Sequence, residues 1–172
     1  MTPPSETLAQ RLRLGPLSDR EATQLCRALL RAIEAGTKSH GAIRTDTILL
    51  EEGKPTLAAT GAGAGAGSPE EDLYAIASVL YEALTGRPWT AGTDPASADW
   101  SGVPRRLRRV LARAFSPAPE RRWQDAAAFQ RALWVPRPSH RIWPALVVIL
   151  LATAIIAAFV WCQPLGLCWE RP

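Results

Sequence analysis

Apolar positions along the chain fall into a few helical stripes separated by Gly- and Pro-marked breaks. Leu8 to Leu14 reads as a short helix that Gly15-Pro16 ends. Ser18 then opens a second helix, with Glu21 three residues on as in a capping box. Ala22, Leu25, Cys26, Leu29, Leu30 and Ile33 follow at helical spacing on one face, and Gly36 marks the stop. Ile48-Leu49-Leu50 and Thr56-Leu57-Ala58 flank Glu51-Glu52-Gly53-Lys54, which predicts a small hairpin. Gly61 to Gly67 alternates Gly and Ala and predicts a flexible loop. A helix over about 69–84 buries Leu73, Ile76, Val79, Leu80 and Leu84, and its acidic start suits the helix dipole. After a loop over 90–103 come a helix over about 104–115, burying Leu107, Val110, Leu111 and Phe115, and another over about 124–134. The prediction is a mainly α domain with one small β-hairpin.

The last pattern is different. Ile142 to Cys162 holds 21 residues without a charge, bracketed by Trp143 and Trp161. A run of about 20 apolar residues matches a bilayer core, so it predicts one C-terminal transmembrane helix. Arg131, Arg137 and Arg141 precede it and only Arg171 follows. Charge asymmetry then places the N-terminal domain in the cytoplasm, the protein in the cell membrane as a single-pass chain, and the short tail outside. The expected organisation is a cytoplasmic domain over 1–134, a basic Pro-containing linker over 135–141, the span over 142–162 and an extracytoplasmic tail over 163–172. Cys162 and Cys168 enclose a Pro-Gly turn in that tail. They are candidates for a small disulfide loop, for a bridge between two chains, or for free thiols at the membrane edge. Cys26 lies on the apolar face of the second helix and reads as core.

Composition narrows the function classes. With 172 residues, 47% apolar and 21% charged, the chain is neither wholly disordered nor a disulfide scaffold. The net charge of +4 is uneven: residues 102–141 carry ten Arg and two acids. Arg105, Arg106, Arg108, Arg109 and Arg113 make a basic helix suited to anionic lipid headgroups or an acidic partner protein. No aromatic residues are interleaved with them, which argues against nucleic acid. His40 and His140 are the only histidines, and no Cys/His/Asp spacing suggests a metal. Ser39 beside His40 lacks the acid a nucleophile pair needs. The Gly-Ala run precedes a helix as phosphate-cradling loops do, but Glu70, Glu71 and Asp72 would repel phosphate and no Gly-Lys-Ser/Thr follows.

Several motifs, in order, resemble the C-terminal lobe of a protein kinase, most of all the membrane-anchored bacterial Ser/Thr kinases. Ser5 to Leu12 with Gly15-Pro16-Leu17 is similar to the segment after the kinase hinge. His40-Gly41-Ala42-Ile43-Arg44-Thr45-Asp46-Thr47-Ile48-Leu49-Leu50 resembles the catalytic loop running into its hairpin. Asp72-Leu73-Tyr74-Ala75 with Leu80-Tyr81-Glu82-Ala83-Leu84-Thr85-Gly86-Arg87-Pro88 resembles the family's central buried helix. Arg113-Ala114-Phe115 with Pro119-Glu120-Arg121-Arg122-Trp123 resembles the stretch that closes the lobe.

The resemblance starts after the hinge, so the expectation is a lobe without its N-terminal partner. Phosphoryl transfer in the family needs a catalytic Asp, a metal-binding Asn and an Asp-Phe-Gly metal ligand. Against that pattern stand Ala42, Thr47 and Ala59. What the resemblance keeps is structural: His40 as a spine residue, Asp72 as the buried acid that holds the loop backbone, and Glu70 or Glu71 with Arg122 as a structural ion pair. The function this implies is a catalytically inactive pseudokinase-like adaptor at the membrane, without a cofactor, that binds a kinase or a second copy of itself. The alternative is a divergent phosphotransferase or nucleotide sensor completed by a partner chain.

Overall fold

The computed structural model describes residues 6–36, 39–51, 54–57, 67–133 and 142–162. The chain divides into two compact units, 1–135 and 136–172.

In the first unit, β1 (Glu6–Thr7) leads into α1 (Leu8–Leu12) and α2 (Asp19–Ala35); β2 (Ile48–Glu51) and β3 (Lys54–Leu57) follow, then α3 (Pro69–Thr85), α4 (Arg105–Ala114), a 3₁₀ turn (Pro119–Arg121) and α5 (Ala126–Leu133). Three capping boxes set the helix starts: Thr7 with Gln10 for α1, Ser18 with Glu21 for α2 and Ser68 with Glu71 for α3. Each box satisfies two backbone donors that the first helical turn leaves free. Gly86 ends α3 in the left-handed conformation, with its N–H donating to the Glu82 carbonyl.

α2 and α3 pack against each other, α5 covers α2, and α4 lies against α3 and α5. Their shared core holds Leu29, Leu30, Ile76, Leu80, Leu107, Leu111 and Phe129, each at most 1% exposed. Burying one such side chain stabilises the fold by about 1.5–3 kcal/mol. Cys26 sits in this core, and burial pushes its thiol pKa up.

Two expectations are corrected. The sheet is not a lone hairpin but three antiparallel strands in the order β1-β2-β3. Glu6 pairs with Leu50 and Thr7 with Leu49, while Leu49 pairs with Thr56 and Leu50 with Pro55. The added strand is two residues long and Thr7 also caps α1, so no alternation marks it and α1 ends sooner than its apolar pattern suggests.

The second correction concerns the membrane. In the second unit α6 runs over Ile142–Cys162. Among the described residues, however, no helix is long and apolar enough to cross a membrane. The predicted transmembrane helix is therefore withdrawn. The linker, the tail and Cys168 lie outside the described residues, as does the side chain of Cys162.

Candidate functional site

The loop over 39–47 joins α2 to β2, anchored by buried Ile43 and Ile48. Gly41 takes a left-handed φ of 71°, which glycine reaches without a Cβ penalty. Asp72, in the first turn of α3, is the one buried charged side chain among the described residues, at 2% exposure. Its two oxygens accept from the backbone N–H of His40 at 2.6 Å and of Gly41 at 2.8 Å. A carboxylate that takes a backbone donor on each oxygen holds the loop by two charge-assisted hydrogen bonds. The His40 ring leaves Nδ1 buried and without a hydrogen bond among the described residues.

The loop is also closed on itself. The Thr47 hydroxyl accepts from Arg44 N–H at 3.0 Å, and its proton reaches the Ala42 carbonyl at 2.8 Å. Thr45 is held on both sides: its carbonyl accepts from Ala9 N–H at 2.8 Å and its hydroxyl donates to Glu82 at 3.3 Å. Partial burial raises the Glu82 carboxyl pKa above its usual value; the Thr45 hydrogen bond opposes this and Asp46 adds to it. Asp46, the nearest acid in the loop, forms an exposed ion pair with Arg44 at 3.1 Å.

The chain before α3 presses onto this loop. Ser39 donates to the Gly67 carbonyl. A Cβ on Gly67 would lie 3.0 Å from Gly41 Cα and 3.1 Å from a Glu71 oxygen. Glycine at 67 is what lets the two backbones meet. Ala59 and most of the Gly-Ala run lie outside the described residues.

The other sequence candidates fall elsewhere. Glu71 accepts from Ser68 N–H at 3.0 Å as part of its capping box, and Glu70 is exposed. Arg122 donates to the Ser116 carbonyl at 2.8 Å and lies 5.0 Å from the Tyr74 ring centre. Among the described residues it forms no ion pair with Glu70 or Glu71. Three of the five arginines of α4 make contacts within the domain. Arg106 pairs with Asp19 across to α2, Arg108 donates to the Val103 carbonyl at 3.0 Å, and Arg113 stacks 4.0 Å over Trp123. Arg105 and Arg109, one helical turn apart, are exposed. Among the described residues, no group of three or more His, Cys, Asp or Glu side chains is placed to hold a metal.

Sequence reasoning missed two features. One is an aromatic cluster at the outer end of α3. Trp89 stacks on Phe115 at 3.8 Å, Tyr81 meets both Trp89 and Trp100 edge-on, and Trp89 Nε1 donates to the Tyr74 hydroxyl at 3.1 Å. The loop around it is pinned by Tyr81, whose hydroxyl donates to the Asp99 carbonyl at 2.7 Å, and by the Arg87–Asp99 ion pair. The Arg87 hydrogen bond, with help from Ser101, holds the Asp99 carboxyl well below the usual carboxylate range. The two tryptophans were the available signal inside an otherwise polar loop. The other missed feature is a cavity of about 330 Å³ between the start of α2 and the β2–β3 hairpin. It joins residues distant in sequence and has no local signature.

No family model matches the chain, and no curated protein matches it. Solved structures do. A point mutant of the Mycobacterium tuberculosis PknI kinase domain is 19% identical, with a TM-score of 0.59 over 76% of this chain and 61% of that one. A double mutant of the same domain is 18% identical with the same TM-score. The Neurospora crassa PAN3 pseudokinase is 17% identical, with a TM-score of 0.59 over 95% of this chain and 45% of that one. The chain thus spans less than two thirds of these neighbours. At such identities the likeness is one of fold: the chain has a kinase-like fold, mainly helical with a small three-stranded antiparallel sheet.

Proposed function

We propose that this chain is a catalytically inactive, kinase-like binding module. The observation that carries the reading is the state of the 39–47 loop. Where the resemblance puts a proton-accepting Asp stands the methyl of Ala42. Where it puts a metal-binding amide stands Thr47, whose hydroxyl is spent on Ala42 and Arg44 of its own loop. Magnesium needs oxygen ligands and proton transfer needs a base within reach, and neither residue offers one. The Asp72 hold on the loop keeps the scaffold while supplying no chemistry. A solved neighbour described as a pseudokinase supports the same reading. A folded domain of this kind acts through binding, and a kinase or a second copy of this chain is the partner proposed.

The test is a purified full chain assayed for nucleotide binding and phosphate transfer. The expected results are no magnesium-dependent thermal shift with ATP and no incorporation of labelled γ-phosphate. Incorporation that is lost in Asp46→Asn, the one acid in the loop, would overturn the proposal.

A further inference from the structure

Among the described residues, two cavities are distinguished by their polar groups. The first, of about 280 Å³, is lined by Asp72, Asp125 and Ser39 among others. All three are engaged: Asp72 with the loop backbone, Asp125 with the N–H groups of Ala127 and Ala128, and Ser39 with Gly67. The remaining polar lining is Glu34 and Gln124, so the charge there is wholly anionic, with no basic side chain in the lining.

The second cavity, of about 330 Å³, differs. Leu17, Leu25, Leu50 and Pro55 form an apolar lining, with Leu25 only 5% exposed. Leu50 and Pro55 are register partners on one face of the hairpin, so the wall is rigid backbone rather than a loop. Three charged residues complete it: Arg11, Lys54 and Glu21. Glu21 is half engaged: one oxygen accepts both the N–H of Ser18 at 2.9 Å and its hydroxyl at 2.6 Å, and the carboxylate keeps its negative charge. Those hydrogen bonds also lower its pKa, and its charge faces the positive end of α2. Arg11 gives one N–H to the Gly15 carbonyl at 3.3 Å, and its charge also helps to lower the Glu21 pKa. Lys54 is exposed, and among the described residues its ammonium has no ion-pair partner, Glu51 opposite it in the hairpin register included. With Arg11 and Lys54 set against Glu21 alone, the charge lining this cavity is net positive.

We propose that this cavity binds a small apolar carboxylate, its hydrocarbon body against Leu17, Leu25, Leu50 and Pro55 and its carboxylate toward Arg11 and Lys54. The volume sits at the small end of ligand pockets, about 300–1,000 Å³, which fits a short alkyl or aryl acid rather than a lipid of full length. The site lies outside the 39–47 loop and stands whether or not that loop transfers phosphate.

The probes are octanoate, octanol and octylamine, titrated into the full chain at concentrations below micelle formation and followed by isothermal calorimetry. Octanoate is expected to bind, and octanol and octylamine to bind at least about tenfold more weakly, the factor that one good charged contact of about 1.4 kcal/mol supplies. Lys54→Glu should lose octanoate binding to a similar degree. Gln24→Trp, at an exposed position on the cavity wall, should block it while leaving the melting temperature unchanged. No octanoate binding overturns the proposal. So does binding that survives Gln24→Trp, because the acid is then held elsewhere on the chain, or a preference for octylamine.

Discussion

Removing the Asp72 carboxylate tests the central structural claim most directly. Asp72→Ala deletes the acceptor of two backbone N–H groups, those of His40 and Gly41, at 2.6 and 2.8 Å. A hydrogen bond to a charged group contributes about 1.5–3 kcal/mol, and an orphaned buried donor costs about 1–3 kcal/mol. Both donors are only partly buried, so water can recover some of the loss. The expected destabilisation is therefore about 2–4 kcal/mol for the pair. Asp72→Asn keeps one oxygen and turns an amide donor toward the other N–H, so it should fall between, at about 1–3 kcal/mol. Domain stabilities are about 5–15 kcal/mol, so either change is a large fraction of the whole. Urea unfolding of the full chain followed by tryptophan fluorescence measures it, since Trp89 and Trp123 are packed in the domain. The midpoint should drop with an unchanged slope. An Asp72→Ala midpoint within about 0.5 kcal/mol of the parent, the range of neutral surface changes, would refute the claim that this carboxylate holds the loop.

Gly67→Ala places a Cβ 3.0 Å from Gly41 Cα, against backbone that cannot yield, and should destabilise by about 1–3 kcal/mol in thermal unfolding. Trp89→Ala removes the Phe115 stack at 3.8 Å and the edge contact with Tyr81. For a half-buried ring it should cost about 2–4 kcal/mol by denaturant midpoint, and Trp89→Phe should recover most of that. Glu82 gives a pH dependence whose sign follows from its raised pKa. As pH rises past the ordinary carboxylate range the unfolded chain releases this proton before the folded chain does, so stability falls until the folded group has also titrated. The slope of the urea midpoint between pH 4 and pH 7 should therefore become less negative or more positive in Glu82→Gln than in the parent.

Helices with caps were readable from residues alone. Ser18 with Glu21 and the stripe from Ala22 to Ile33 predict α2, and the structure has it over Asp19–Ala35. The α3 stripe and its stop at Gly86 were equally plain, because a buried central helix must repeat apolar residues at 3.6. β1 was not, because two residues carry no period and their pairing with Leu49 and Leu50 is long-range. Arg122 and the α4 arginines show a second limit. A charge in a sequence does not declare whether it meets an acid, a carbonyl or a ring, and Arg106, Arg108 and Arg113 take one of each. The apolar run at 142–162 was the plainest pattern of all. The helix is there, but the membrane crossing inferred from it is not upheld among the described residues.

The geometry also explains how such a scaffold tolerates substitutions in the 39–47 loop. Asp72 grips backbone N–H groups, which every residue except proline provides, so its hold does not depend on the side chains at 40, 41 or 42. Gly41 and Ala42 can therefore stand in the loop without loosening it. Glycine at 67 has a further effect: its bare Cα lies against Gly41, and Ser39 ties the two segments together. A side chain at 41 would meet the strain of a left-handed φ of 71°, and one at 67 would press on Gly41 Cα. In this domain the left-handed turn at Gly41 and the bare backbone of Gly67 together let the two segments lie against each other.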